Sequence, residues 1–130
     1  MVEQIKLIVD GKVVEFKKGM AAHATSTLVY DVSKYKKEYS RLVTYAGLDQ
    51  SKGGAKFSVY TLVNGTDWTL VDEVGLLKSN QECAYIDINI ENANYIKLYA
   101  HDNGSNGYDH AVYGDAKLVE KDLMAIWLLM

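Results

Sequence analysis

The 130-residue sequence contains no proline and only one cysteine, Cys83. A single cysteine excludes an internal disulfide, but it does not identify the compartment, because it fits a cytosolic protein and a disulfide-free secreted module equally well. The absence of proline is unusual and points to no particular function. One chain of this length is expected to form one domain, spanning residues 1–130, that can bury a real core.

Clustered positive charge is also missing. The formal net charge is −3, and the densest basic cluster, at residues 34–41, has the pattern of a solvated surface. A protein that tracks phosphates needs a basic groove. The sequence therefore argues against nucleic acid and against an anionic membrane as partners.

Long apolar runs are absent as well. The segment 122–130 is apolar but far too short to cross a bilayer, and we expect it to form a last strand or a short packed helix. The first residues do not show the basic segment and apolar run of a signal peptide. If the domain is exported, we expect it to be part of a longer protein with covalently linked neighbouring domains.

Alternation with a period of two dominates the chain and predicts β-structure. Ile86 and Ile88, for example, alternate with Tyr85 and Asp87, as in a strand with one buried face. Asp10-Gly11 and Asn64-Gly65 are hairpin signals, because glycine tolerates the positive φ of such turns. Strands are predicted at 5–9, 12–16, 25–32, 41–48, 56–63, 67–72, 84–90, 95–100 and 111–118. Short strands with this punctuation predict an all-β sandwich.

The order of these strands predicts which connections share an end of the sandwich. If successive strands run antiparallel, one end, called the lower end here, carries segments 17–24, 49–55, 73–83 and 101–110. The opposite, upper end then carries the turn at 10–11 and segments 33–40, 64–65 and 91–94. Loops at one end of a rigid sandwich are where binding residues are commonly carried.

The lower-end segments have the chemistry that a sugar needs. Saccharides present hydroxyls and a C–H face, which require planar hydrogen-bond partners and an aromatic ring. Gly104 and Gly107 allow tight loop conformations. The candidate binding residues are His23, Asp49, Gln50, Asn106, Tyr108, Asp109 and His110.

Three segments in this order carry a resemblance to a known family: K-G-M-A-A-H-A-T-S at 18–26, Y-A-G-L-D-Q at 45–50, and H-D-N-G-S-N-G-Y-D-H-A-V-Y-G-D-A at 101–116. They resemble the NPCBM-type sugar-binding modules, which are related to the family 51 carbohydrate-binding modules. The resemblance covers about residues 12–119. It implies a jelly-roll β-sandwich of the galactose-binding-domain-like type.

The resemblance also implies a function and a location. Modules of this type are non-catalytic and are appended to secreted bacterial glycan-active enzymes, which implies an extracellular or cell-surface location and a galactose-containing or related glycan as ligand. Within the family pattern, His23, Asp49, Asp109 and His110 occupy matching positions. Tyr113 stands where the family often has tryptophan, which implies a smaller ring for stacking on the sugar.

Other interpretations of the same residues remain open. His23 can be a buried histidine, Asp49 a turn residue and Tyr108 a packing ring, while Trp68 is expected to pack near the upper end. No catalytic residues are predicted: Asp49, Asp102 and Asp109 could supply the pair of carboxylates of a glycosidase, but nothing in their spacing requires it, and no metal-binding histidine spacing is present. No cofactor is required, although a structural calcium ion is conceivable, with Asp72 and Asp115 as suggested ligands. The alternative function is a spacer or protein-interaction module, and a hydrolase is a third possibility.

Overall fold

In a computed structural model the chain forms an all-β sandwich, which confirms the predicted fold class. The structure describes residues 5–16, 19–23, 25–48, 54–78, 82–102 and 110–121. Within these ranges no helix has the length and apolar character needed to cross a membrane. The described strands are β1 (Ile5–Val9), β2 (Lys12–Phe16), β3 (Gly19–His23), β4 (Ser26–Asp31), β5 (Tyr39–Leu48), β6 (Gly54–Leu62), β7 (Thr69–Lys78), β8 (Ala84–Asn89), β9 (Tyr95–Asp102) and β10 (His110–Glu120).

The strands form two four-stranded sheets and one hairpin. Sheet I has the order β3-β10-β5-β8, and sheet II has the order β4-β9-β6-β7. All the pairings between these strands are antiparallel. The register of β10 shifts between Gly114 and Lys117, where Asp115 has a φ of 54°.

The main core lies between the two sheets. It is built from the inward-facing half of each alternating strand, including Phe57, Ile86, Ile96 and Leu98, all at 2% exposure or less. Each such side chain contributes about 1.5–3 kcal/mol by leaving water. The alternation in β8, with Ile86 buried and Tyr85 exposed, therefore determines which face of this strand packs against the core.

A second, smaller core lies on the outer face of sheet I, beneath the hairpin of β1 and β2. Leu7 and Val112 are buried there, and Phe16, Tyr45 and Cys83 pack against them. The rings of Phe16 and Tyr45 have centroids 5.3 Å apart. The hairpin thus covers this part of the face with apolar side chains.

The position of the hairpin turn differs from the prediction. The Glu82 carboxylate accepts hydrogen bonds from the backbone N–H groups of Asp10 and Gly11, at 2.5 and 2.9 Å. Because Glu82 lies just before β8 begins, the turn lies toward the lower end and not the upper end. The reason is β3, which occupies part of the segment 17–24 that was expected to be a loop. Because successive strands alternate in direction, this additional strand between β2 and β4 reverses the direction predicted for β2.

The later strands follow the predicted directions. The directions predicted for β4 through β10 agree with the observed antiparallel pairings within each sheet. β7 continues to Lys78 instead of ending at residue 72, so part of the expected loop 73–83 is strand. The lower end is therefore the end at which β3, β5, β7 and β9 finish and β4, β6, β8 and β10 begin.

Candidate functional site

Three strand ends meet at the lower end of sheet I. His110, the first residue of β10, is the register partner of His23, the last residue of β3. On the other side of β10, Ala111 is the partner of Leu48, the last residue of β5. Since β10 lies between β3 and β5, the backbone brings together chain positions that are more than eighty residues apart in the sequence.

Several predicted site residues lie outside the described residues. These are Asp49, Gln50, Asn106, Tyr108 and Asp109, and the side chains of His23 and His110 are likewise not described. β5 ends one residue before Asp49, and β10 begins one residue after Asp109. The described part of this site is therefore its backbone frame, and the binding roles of these seven residues remain predictions.

Tyr113 occupies a different environment from the one its predicted role needs. It is 1% exposed, and its ring meets Phe57 edge-on, with centroids 5.6 Å apart, in the core between the sheets. Burial raises the pKa of its phenol, and the hydroxyl has no hydrogen-bond partner among the described residues. Stacking on a sugar needs an open ring face. The interpretation of Tyr113 as a stacking platform is corrected accordingly: it is a core residue.

The two carboxylates suggested for calcium are engaged separately. Asp72 accepts a hydrogen bond from the backbone N–H of Glu73 at 2.8 Å, and Asp115 lies 3.5 Å from the Lys117 ammonium. Within the part of the chain that the structure describes, no group of three or more histidine, cysteine or acidic side chains is arranged to hold a metal ion. A structural calcium ion, with Asp72 and Asp115 as its suggested ligands, therefore stays a prediction.

A second polar region lies on the outer face of sheet II, where a hollow of about 500 Å³ opens to solvent. Its principal lining residues come from three adjacent strands, and they are Lys56, Ser58, Tyr60, Glu73, Tyr99 and His101. His101 was expected in the loop 101–110, but it belongs to β9 and its ring lies 5.8 Å from that of Tyr99, centroid to centroid. The signal in the sequence was the alternation of Tyr95, Lys97, Tyr99 and His101, which puts all four on one face.

The polar groups of the hollow are connected. The Lys56 ammonium lies 3.0 Å from Glu73 Oε1, and the Ser58 hydroxyl donates to Glu73 Oε2 at 3.1 Å. These contacts, the bond from Lys56 first, lower the pKa of the Glu73 carboxyl. The carboxylate therefore stays ionised in mildly acidic solution and serves as a hydrogen-bond acceptor.

At the edge of the hollow, the ring of Tyr60 and the ring of Trp68 hold a cation between them. The Lys97 ammonium lies 4.4 Å from the centroid of Tyr60 and 4.6 Å from that of Trp68. Trp68 is half-buried and directly precedes β7, at the upper end. Its packing agrees with the expectation for this residue.

The chain is similar to a known protein family and to several solved structures. The family model described as NPCBM/NEW2 domain matches residues 2–119. No curated protein matches the chain. Among solved structures, the CBM51 module from Clostridium perfringens GH95, in complex with methyl-galactose, is 29% identical with a TM-score of 0.79, and the match covers 89% of this chain and 80% of that one.

Two further matches are parts of larger proteins. A structure of the M60 catalytic domain with the CBM51-1 and CBM51-2 domains of C. perfringens ZmpB is 27% identical, with a TM-score of 0.75. The match covers 88% of this chain but 12% of that one. The structure of CBM51-2 in complex with GlcNAc, with the INT domains of ZmpB, is 28% identical with a TM-score of 0.74, covering 88% of this chain and 25% of that one. The chain thus spans a quarter or less of the length of these two proteins.

Proposed function

The chain belongs to the NPCBM/NEW2 domain family, and from this premise we propose that it is a non-catalytic module that holds a larger glycan-active enzyme on glycans containing galactose or a related sugar. The solved structures that it resembles are CBM51 modules, so carbohydrate binding is the function of its class. The complex of one such module with methyl-galactose supports the choice of sugar. An extracellular or cell-surface location belongs to the same proposal.

The observation that carries the proposal is the meeting of strand ends at the lower end of sheet I. The register pairs His23 with His110 and Leu48 with Ala111, so strand ends from all three family-like segments lie together at the lower end of sheet I. Loops anchored on such a frame are positioned by rigid strands, which is a common way to build a binding site. The polar residues of these segments then supply hydrogen bonds to sugar hydroxyls.

The proposed mechanism is tethering rather than chemistry. A module bound to a glycan raises the local concentration of substrate around an attached enzyme. Single-site binding is expected to be weak, with a Kd on the order of 10 μM to 1 mM, because each protein–sugar hydrogen bond replaces one to water. Weak binding permits repeated release and rebinding along a glycan-covered surface.

A glycan array with matched variants tests the site. Asp109→Ala combined with His110→Ala should abolish binding while the Tm stays within a few degrees of the wild-type value. The control is Glu120→Ala combined with Lys121→Ala, which alters the other end of β10 and should leave binding unchanged. A folded Asp109/His110 variant that binds normally contradicts the site, and an unfolded one shows that the pair is structural.

Two further arms test the rest of the proposal. Repeating the array with a chelator tests whether binding depends on a structural calcium ion. Incubating the isolated chain with aryl glycosides tests the non-catalytic assignment, for which we expect no turnover. A chain that binds no glycan at all favours the spacer function instead.

A further inference from the structure

The hollow on sheet II is built by strand register rather than by loops. β9 contributes the neighbouring rings of Tyr99 and His101. β6 places Ser58 opposite Tyr99 and Lys56 opposite His101, and β7 places Glu73 opposite Ser58. The strand frame therefore fixes two rings, a hydroxyl and an ion pair around one concave surface before any ligand arrives.

Charge decides which kind of ligand suits this surface. Lys56 and Glu73, the charged residues that line the hollow, form an ion pair at 3.0 Å, so their formal charges cancel, and the Lys97 ammonium lies outside the lining, over the Tyr60 ring. Both groups are partly exposed and keep free hydrogen-bonding capacity, since an ammonium has three donors and a carboxylate about four acceptor positions. A neutral ligand with several hydroxyl groups uses this capacity, whereas an ionic ligand gains little net attraction.

The rings of the hollow meet the other requirement of a sugar. Tyr99 and His101 are tilted by 53° to each other, and Tyr60 lies on the neighbouring strand. The Lys97 ammonium lies over the Tyr60 ring, 4.4 Å from its centroid, in a cation–π contact. Fixed aromatic faces next to hydrogen-bonding groups suit the C–H face and the hydroxyl rim of a pyranose ring.

We propose that this hollow is a second saccharide-binding site, which takes a neutral sugar ring against Tyr99 and His101 and bonds its hydroxyls to Lys56 and Glu73. The site does not depend on the lower-end site, because its residues come from the other sheet. A module with two sites engages two sugars of one glycan or of neighbouring glycans. Its avidity then exceeds the affinity of either site.

The experiment is a titration of the isotope-labelled full chain with methyl-galactoside, N-acetylglucosamine and lactose, followed by amide shifts in NMR spectra. At least one of these sugars should shift the amides of residues 56–58, 73 and 99–101. Glu73→Gln, which preserves the size of the side chain, and Tyr99→Ala should each raise the Kd obtained from these shifts at least tenfold. Tyr95→Ala is the matched control, since Tyr95 lies on the same face of the same strand but outside the hollow, and it should change nothing.

The lower-end variants separate the two sites. Asp109→Ala with His110→Ala should leave the sheet II shifts intact, so failure of the lower-end site and failure of this one are distinguishable. The proposal is overturned if none of the three sugars shifts these amides, or if Tyr95→Ala weakens binding as much as Tyr99→Ala. It is also overturned if an acidic probe, sialyllactose, binds more tightly there than lactose, or if the same amides shift with protein concentration alone, which indicates self-association.

Discussion

The two outer faces of the sandwich have the same strand construction and opposite surroundings. On sheet I, the hairpin of β1 and β2 covers part of the face, and Leu7 is 3% exposed beneath it, although Tyr85 beside the hairpin is 53% exposed. On sheet II, Leu70 and Val29 are 49% and 52% exposed, and the hollow opens between charged and aromatic residues. Among the described residues, the apolar side chains under the hairpin therefore contribute to stability by leaving water, whereas Leu70 and Val29 keep much of their contact with solvent.

Truncation of Leu7 and of Leu70 should give the most different losses in the free energy of unfolding. Leu7→Ala removes a buried side chain under the hairpin and should lower the free energy of unfolding by about 3 kcal/mol. Leu70→Ala makes the same chemical change on the open face and should cost about 0.5 kcal/mol or less. Urea denaturation measures both, and equal losses contradict the division between the faces.

Cys83 reports whether the hairpin closes its face in solution. Burial, with the nearby Glu82 and Asp10 charges, raises the pKa of the thiol from 9.0 to about 11. At pH 8 the reactive thiolate should therefore be about 100-fold scarcer than in a thiol of ordinary pKa. Alkylation by iodoacetamide should be correspondingly slow in the native chain and normal in urea, and Leu7→Ala should accelerate it. Fast labelling of the folded wild type means that the face is open.

Gly114 tests how closely the hairpin approaches. A methyl group at this position meets the Phe16 ring at 2.9 Å, closer than carbon atoms pack. Gly114→Ala should therefore destabilise the fold by about 2 kcal/mol through overpacking. Phe16→Leu supplies the second side of a double-mutant cycle, and the two losses should sum to more than the loss in the combined variant. Strict additivity means that the two residues do not touch.

The smallest expected effect concerns one exposed ion pair on each sheet. Arg41 binds Asp87 through two hydrogen bonds, at 2.9 and 2.6 Å, and these bonds lower the pKa of the Asp87 carboxyl as the Lys56 contact does for Glu73. A carboxyl group whose pKa is lowered by folding stabilises the fold at pH values above its unfolded-state pKa, which is 3.8 for Asp87 and 4.5 for Glu73. That stability is lost as the pH falls through the folded-state pKa.

Melting curves at pH 6 and pH 2.5 measure this contribution. Asp87→Asn and Glu73→Gln should each lose slightly less Tm on acidification than the wild type, with the two-bonded Asp87 pair giving the larger change. Because both pairs are exposed, 1 M NaCl should nearly abolish the difference. A larger decline in the variants than in the wild type contradicts the direction of these pKa shifts.

Most of the fold could be predicted because alternation is a local signal. The strand predicted at 84–90 is observed at Ala84–Asn89, and that predicted at 41–48 lies within Tyr39–Leu48. β3 was missed because Gly19–His23 has glycine and two alanines, which favour strands weakly, and its stability comes from pairing with the distant β10. Missing one strand was enough to place the turn at residues 10 and 11 at the wrong end.

The sites were less predictable for a different reason. The lower-end segments could be assigned to one end of the sandwich, because consecutive strands alternate in direction and the order of the strands along the chain then gives the end of each connection. The hollow on sheet II could not, because Lys56, Glu73 and His101 come from three strands and only their register brings them together. Likewise, the stacking role expected of Tyr113 came from its match to a family position that often holds tryptophan, and such a match does not reveal which side of β10 faces inward.

The irregularity in β10 has a consequence for solubility. β3 pairs with β10 only as far as Gly114, and in the described ranges no other strand takes over on that side up to Glu120. An unpaired strand edge of this kind is a template onto which a strand of another molecule can add. Asp115, in the left-handed conformation at the register shift, breaks the regular spacing of the backbone groups, and the charged Lys117 follows it. The register shift and the charge therefore make it harder for a strand of a second molecule to add along this edge.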